Sequence, residues 1–369
     1  MKYLSLFSGI GGFELGIKNA YEKLYNSSDN TRKLQTEGKL STKRKSIISK
    51  DSTSSDNEFQ SNALLSCVGY SEIDKYAIQI YEKHFNHKNY GDIKKINPKE
   101  LPDFDLVVGG FPCQSFSIAG KRGGFADTRG TLFFDIARII REKQPRLLLL
   151  ENVKGLLSHD KGRTFYTIIS TLDELGYDCQ WQVLNSKNFG VPQNRERVFI
   201  IGHIRGTSRP QVFPFAESNG TTVKKLGNKN PSGNGQSGQV VSTDGLHPTI
   251  GAGGGNPNRK RDIGWSSGYI HQLNNPKHSN DRIYGKDGLS PTLNTAQGGN
   301  RQPFIPEDSQ IRRLTPTECE RLQGFPDGWT ARGIDENGNE VLISDTQRYK
   351  TLGNAITTCV VKEIMEKLK

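Results

Sequence analysis

Short apolar runs alternate with segments of helical period through the first two hundred positions of the chain. Tyr3 to Phe7 reads as a buried opening strand, and Phe13 to Ala20 repeats its apolar residues at the spacing of one helix face. Leu64 to Tyr70 reads as a second strand, and a helix follows over Lys75 to His84. Leu106-Val107-Val108 opens a third strand, and the next helix is predicted over Thr131 to Glu142. The four leucines from Leu147 to Leu150 predict a fully buried parallel strand, because such strands lose the alternation of half-exposed ones. A helix over Thr164 to Leu175 precedes two extended segments, Trp181 to Asn185 and Val198 to Ile204. Strand and helix in alternation predict an α/β fold around an open sheet.

Two stretches break the pattern. From about 22 to 62, Ser, Lys, Asn, Asp and Thr dominate, and low hydrophobicity with mixed charge predicts a mobile surface insertion. From 207 to 309, Gly, Asn, Ser and Pro dominate, which predicts a second, smaller and irregular domain. Within it Pro248-Thr249-Ile250 is echoed by Pro291-Thr292-Leu293, each copy followed by glycines. Helical grammar returns at Thr315, an expected N-cap with Pro316 at the first helical position and Glu318 completing a capping box. Gly324 should end that helix, and Tyr349 to Ile356 should open an amphipathic helix running to the C-terminus. The expected organisation is one domain over 1–206, completed by 310–369, with the second over 207–309.

The formal charge of +11 adds a polyanionic partner to this picture. The five cysteines are scattered with no CxxC pair, which argues against a disulfide framework or a metal site and for a reducing compartment. No apolar stretch is long enough to span a bilayer, so a cytoplasmic protein with no membrane role is expected.

Candidate chemistry gathers at the ends of the predicted strands, where open α/β sheets place their ligand sites. Ser8-Gly9-Ile10-Gly11-Gly12 is a glycine-rich turn between strand and helix, suited to backbone approach by a cofactor. Glu14 stands where the third glycine of a dinucleotide fingerprint would fall, which disfavours a nicotinamide oxidoreductase. Glu72 ends the second strand, at a position that commonly binds ribose hydroxyls. Cys113 follows Gly109-Gly110-Phe111-Pro112 and precedes Gln114-Ser115; as a thiolate it is a strong nucleophile, as a buried thiol it is only packing. Glu151 leaves the leucine strand, where desolvation should raise its pKa toward that of a proton donor. Arg195 and Arg197 alternate into a strand and so should project to one side, as phosphate or base contacts or as a solvated salt-bridge ladder. A thiolate adding to an electron-poor ring, with an acid to activate it, generates a carbon nucleophile able to accept a methyl group from a sulfonium.

These motifs, in this order, resemble those of the DNA (cytosine-5) methyltransferase family. Phe7-Ser8-Gly9-Ile10-Gly11-Gly12 resembles its cofactor loop, Gly110-Phe111-Pro112-Cys113-Gln114-Ser115 its nucleophile loop and Glu151-Asn152-Val153 its glutamate motif. Gln193-Asn194-Arg195-Glu196-Arg197 resembles its QxRxR strand, Arg321-Leu322-Gln323-Gly324-Phe325-Pro326 the motif after its recognition domain, and Gly353-Asn354-Ala355 its closing motif.

The resemblance implies a Rossmann-like mixed sheet with an irregular target-recognition domain at 207–309. It implies S-adenosylmethionine as donor and no metal, with Phe7, Gly9, Gly11, Glu72, Ile73, Asp92, Ile93, Leu132 and Asn354 at the cofactor. Cys113 would attack carbon 6 of a flipped cytosine, with Glu151 at ring nitrogen 3. Arg197 would contact the base carbonyl, and Arg195 the backbone near the flipped nucleotide. Gln114, Ser115, Gln193, Thr292 and Leu293 would meet the DNA, and the glycines from Gly120 to Gly130 would let the nucleophile loop close. The partner implied is double-stranded DNA, met by a monomer; a separately acting restriction endonuclease stays open. An RNA cytosine methyltransferase is the nearest alternative, disfavoured by the large recognition domain; intact Cys113, Glu151 and Arg197 disfavour a silent binding protein.

Overall fold

The computed structural model describes residues 1–23, 65–112, 132–215, 225–228, 239–241, 272–273, 282–285, 289–295, 303–307 and 310–368. The insertion expected at 22–62, the nucleophile loop from Cys113 and the Pro248-Thr249-Ile250 echo therefore fall largely or wholly outside the described residues.

Six strands form one sheet: β1 (Lys2–Leu6), β2 (Ser66–Ser71), β3 (Leu106–Gly110), β4 (Leu147–Val153), β5 (Tyr177–Asn185) and β6 (Glu196–Ile204), in the spatial order β2-β1-β3-β4-β6-β5. The first four run parallel, and β3 and β4 among them carry the near-continuous apolar runs of strands buried on both faces. The mixed character enters at β6, which is antiparallel to both β4 and β5. The leucine strand is thus parallel on one edge and antiparallel on the other, a detail its composition does not carry. Antiparallel entry brings the start of β6 to the end of the sheet where β1, β3 and β4 finish: Val153 pairs with Arg197, Gly110 with Glu151 and Leu6 with Gly109.

Helices cover both faces. On one, α3 (Leu132–Lys143) and α4 (Arg163–Glu174) bury Phe133, Ile136, Ile140, Ile168 and Leu172 against Leu4, Leu6, Leu148 and Leu150. On the other, a helix over residues 12–23 (α1) and α7 (Thr358–Lys367) bury Phe13, Ile17, Val361 and Ile364 against Tyr3, Val108 and Leu149. Helix α2 (Lys75–His84) begins where expected because Asp74 caps it, accepting from the amides of Tyr76 and Ala77.

Residues 210–215, placed in the second domain by the sequence pattern, stay with the sheet. Gln180 and Gln182 of β5 hold this segment through their side-chain amides, and Val212 and Phe213 enter the core. Helix α5 (Pro316–Leu322) has the expected capping box between Thr315 and Glu318. The single C-terminal helix expected from residue 349 is two helices, α6 (Asp345–Asn354) and α7, broken where Ala355 turns extended. That break frees the carbonyls of Gly353 and Ala355 from the helical ladder, and both accept from Arg195.

Candidate active site

Glu151 lies near the end of β4, and register sets Gly110 beside it. A Cβ on Gly110 would stand 3.1 Å from Glu151 Oε2, so the glycine makes room for the carboxylate. Arg197 Nε approaches Glu151 Oε1 to 2.9 Å, and both side chains are mostly buried. Burial pushes the Glu151 carboxyl above its ordinary range, with Arg197 and then Arg195 pulling it partly back. This environment favours the protonated form of the carboxyl. Asn152 donates 2.8 Å to the carbonyl of Phe111, fixing the chain two residues before Cys113. Cys113, Gln114 and Ser115 themselves lie outside the described residues.

The glycine-rich turn after β1 has three residues at positive φ: Phe7 (54°), Gly9 (55°) and Gly11 (85°). A methyl on Gly11 would overlap the Phe85 ring. Around Gly9 the space is open: a Cβ there meets nothing within 4 Å. The Gly9 amide donates 2.9 Å to Glu72 Oε2, while Glu72 Oε1 accepts from the amides of Ile73 and Asp74. Ile73 is 72% exposed beside this carboxylate. Asp92 caps a short turn at Ile93–Lys95, accepting from Lys94 N, and Arg138 donates to the carbonyls of Ile93 and Ile96. The Ile93 side chain is in the core and its carbonyl accepts from Arg138 and Ile96 N; Leu132 packs half-buried at the start of α3. Asn354 is exposed at the end of α6. An open turn, a carboxylate and exposed apolar Ile73 fit an adenosyl group with its ribose diol.

The remaining expected contacts depart from the sequence reading. Arg195 is buried, with Nη1 donating 3.2 Å to Leu293 O and Nη2 donating 3.0 and 2.9 Å to Gly353 O and Ala355 O. It is therefore turned into the protein rather than toward a phosphate. Gln193 is also buried, donating to Leu322 O and accepting from Leu293 N, and Leu293 packs in an apolar cluster with Leu314 and Phe325. Of this group, Thr292 alone is exposed, its hydroxyl donating to Asn194 O. Period-two spacing places side chains on a face but does not say whether that face is wet.

Sequence reasoning missed a buried polar cluster under the cofactor turn. Ser8 Oγ donates to Ser5 Oγ at 2.9 Å, Tyr81 donates 3.1 Å to Glu14 Oε1, and the Tyr81 hydroxyl lies 2.8 Å from His87 Nδ1. Burial raises the Glu14 carboxyl to about 7. The signal was a lone acid on the apolar face of a helix, between Phe13 and Leu15.

The sequence model of the C-5 cytosine-specific DNA methylase family matches residues 57–369. The type II methyltransferase M1.ScrFI of Lactococcus lactis subsp. cremoris is 36% identical over 370 residues, covering all of this chain and 77% of the relative. The orphan methyltransferase M.SPRI of Bacillus phage SPR is 31% identical, covering all of this chain and 97% of the relative. Among solved structures, the S. pombe Dnmt2 methyltransferase shares the fold, with a TM-score of 0.58 at 20% identity over 99% of this chain and 97% of that one. With its strand-end carboxylate, its glycine-rich turn and these matches, the chain belongs to the C-5 cytosine-specific DNA methylases, enzymes that methylate carbon 5 of cytosine in DNA.

Proposed function

We propose that Cys113, Glu151 and Arg197 carry this reaction at a cytosine flipped out of double-stranded DNA, in one short target sequence. The observation that carries the assignment is the buried Glu151–Arg197 pair beside Gly110, three residues before Cys113. Phe7, Gly9, Glu72, Ile73, Asp92 and Asn354 would hold S-adenosylmethionine, which when bound supplies an electrophilic methyl group on a sulfonium.

The Cys113 thiolate forms a bond to carbon 6 while Glu151 delivers a proton to ring nitrogen 3. The ring's π pair is thereby localised on carbon 5, which would take the methyl carbon as its bond to the sulfonium sulfur breaks and the donor leaves as a neutral thioether. A base then removes the proton from carbon 5, the 5,6 double bond re-forms as the thiolate is expelled, and ring nitrogen 3 returns its proton to Glu151. Arg197 keeps the Glu151 carboxyl aimed and would contact the base carbonyl. Flipping the cytosine costs roughly a few kcal/mol of stacking and pairing, which base contacts in the pocket must offset.

Residues between 216 and 309, with Thr292 at their inner edge, form the target-recognition region. The enzyme acts as a monomer, in a restriction-modification setting beside a separate endonuclease or as an orphan protecting phage DNA. Among the described residues no helix is long and apolar enough to cross a membrane.

Transfer of labelled methyl from S-adenosylmethionine to mixed-sequence duplex DNA, with Cys113→Ala alongside, tests the reading. Label on cytosine carbon 5 in one short sequence, absent in the variant, is the expected result. Label surviving in Cys113→Ala overturns the nucleophile, and label on RNA in place of DNA overturns the substrate.

A further inference from the structure

Three segments far apart in sequence meet at one guanidinium. Arg195 precedes β6, Leu293 belongs to the stretch 289–295, and Gly353 and Ala355 flank Asn354 at the break between α6 and α7. The approach is close: a methyl on Gly353 would overlap the Asn294 carbonyl oxygen. Hydrogen bonds flanking Arg195 extend the junction. Ser290 N donates to Pro192 O and Asn194 N to Ser290 O, while the Thr292 hydroxyl donates to Asn194 O. Gln193 bridges Leu293 N to Leu322 O, and Gln323 holds Leu352 O.

A buried cation whose hydrogen-bond partners are carbonyls, with its Nε left without one, is a costly way to fill space. Its distinctive property is geometry: a planar fork donates in fixed directions to two segments at once, which neither an ammonium nor an apolar side chain reproduces. Two residues further on, Arg197 reaches Glu151. One rigid strand entry therefore bears on the recognition stretch, the Asn354 turn and the catalytic carboxylate.

We propose that Arg195 is a positioning residue, its guanidinium fork locking the recognition stretch 289–295 and the Asn354 turn into one register against the start of β6. The inference rests on the proposed function for what that register serves, namely holding the target base contacts and the cofactor closure in step.

The test uses the full chain carrying Arg195→Lys, which keeps the charge and loses the fork, and separately Gly353→Ala, which presses on Asn294 without altering the guanidinium. Hydrogen exchange is followed by mass spectrometry in peptides covering 289–295 and 350–357, with β3 and β4 as internal references. Methyl transfer is measured at the target mapped for the native chain and at single-mismatch targets. In both variants exchange should rise about tenfold or more in both stretches together while β3 and β4 are unmoved, and discrimination against mismatches should fall about tenfold. Exchange rising in one stretch alone, or equally across the whole chain, overturns the proposal, as does discrimination within twofold of native. Should the native chain transfer no methyl to DNA, the proposed function fails, and the exchange measurement still decides the role of Arg195.

Discussion

Arg197 Nε stands 2.9 Å from Glu151 Oε1, across the antiparallel junction of β4 and β6. The pair sets two opposing forces on one proton: burial favours the neutral acid, the guanidinium favours the carboxylate, and burial prevails. The protonated carboxyl is the form that donates to the ring, so its fraction falls as pH rises through its pKa. Glu151→Gln keeps the shape and removes the proton. Single-turnover methyl transfer should fall by about a hundredfold to ten-thousandfold, with the alkaline limb of the pH profile lost. A rate within tenfold of native would remove Glu151 from the chemistry.

Arg197→Gln leaves the carboxyl buried without its counterion. Its pKa should rise further, moving the alkaline limb of single-turnover transfer to higher pH, while the rate falls through loss of the base contact. An unmoved limb would mean that Arg197 does not govern the acid.

Glu14 gives a stability prediction of opposite sense to that of a salt-bridged acid. Burial raises its pKa from 4.5 to about 7, so the folded protein binds a proton that the unfolded chain releases between those values. Stability from this group is present in full below pH 4.5 and is lost as pH rises through 7, by roughly 3 kcal/mol. Urea unfolding at pH 5 and pH 8 should show that loss in the native chain and a much smaller one in Glu14→Gln.

Glu320 is fully buried on α5 and holds the turn that follows the helix, accepting from the amides of Gly328 and Thr330, from the Thr330 hydroxyl and from Arg348. Glu320→Ala takes the buried partner from the Thr330 amide and removes the buried carboxylate beside Arg348, which keeps Asp345, and should cost about 3 kcal/mol. The urea midpoint reads the change; a shift corresponding to less than about 1 kcal/mol would show that the turn is held otherwise.

The elements that the sequence announced are those with strong local grammar. Helix α2 is framed by its Asp74 cap, β4 is a run of leucines, and the Thr315 capping box needs only four residues to declare itself. What stayed hidden depends on contacts between distant segments. The antiparallel direction of β6, the break at Ala355 and the inward turn of Arg195 and Gln193 are one feature seen from three places, and no window of the sequence contains it. Glu151 and Arg197 were legible as chemical types at strand ends; their pairing required the register of β4 on β6.

Helix α7 lies against α1 and β1, with Val361 packed where Gly16 has no side chain: a Cβ there would stand 2.6 Å from the valine Cβ. This contact has a consequence for biosynthesis. Tyr3, Phe13 and Ile17 are made first, yet the apolar face they share is covered only after residues near 360 leave the ribosome. At about 5–20 residues per second that interval is roughly 20–70 s. For that time the nascent chain carries an open hydrophobic surface, and a chain arrested before α7 would leave α1 without the partner helix packed along it on that face of the sheet.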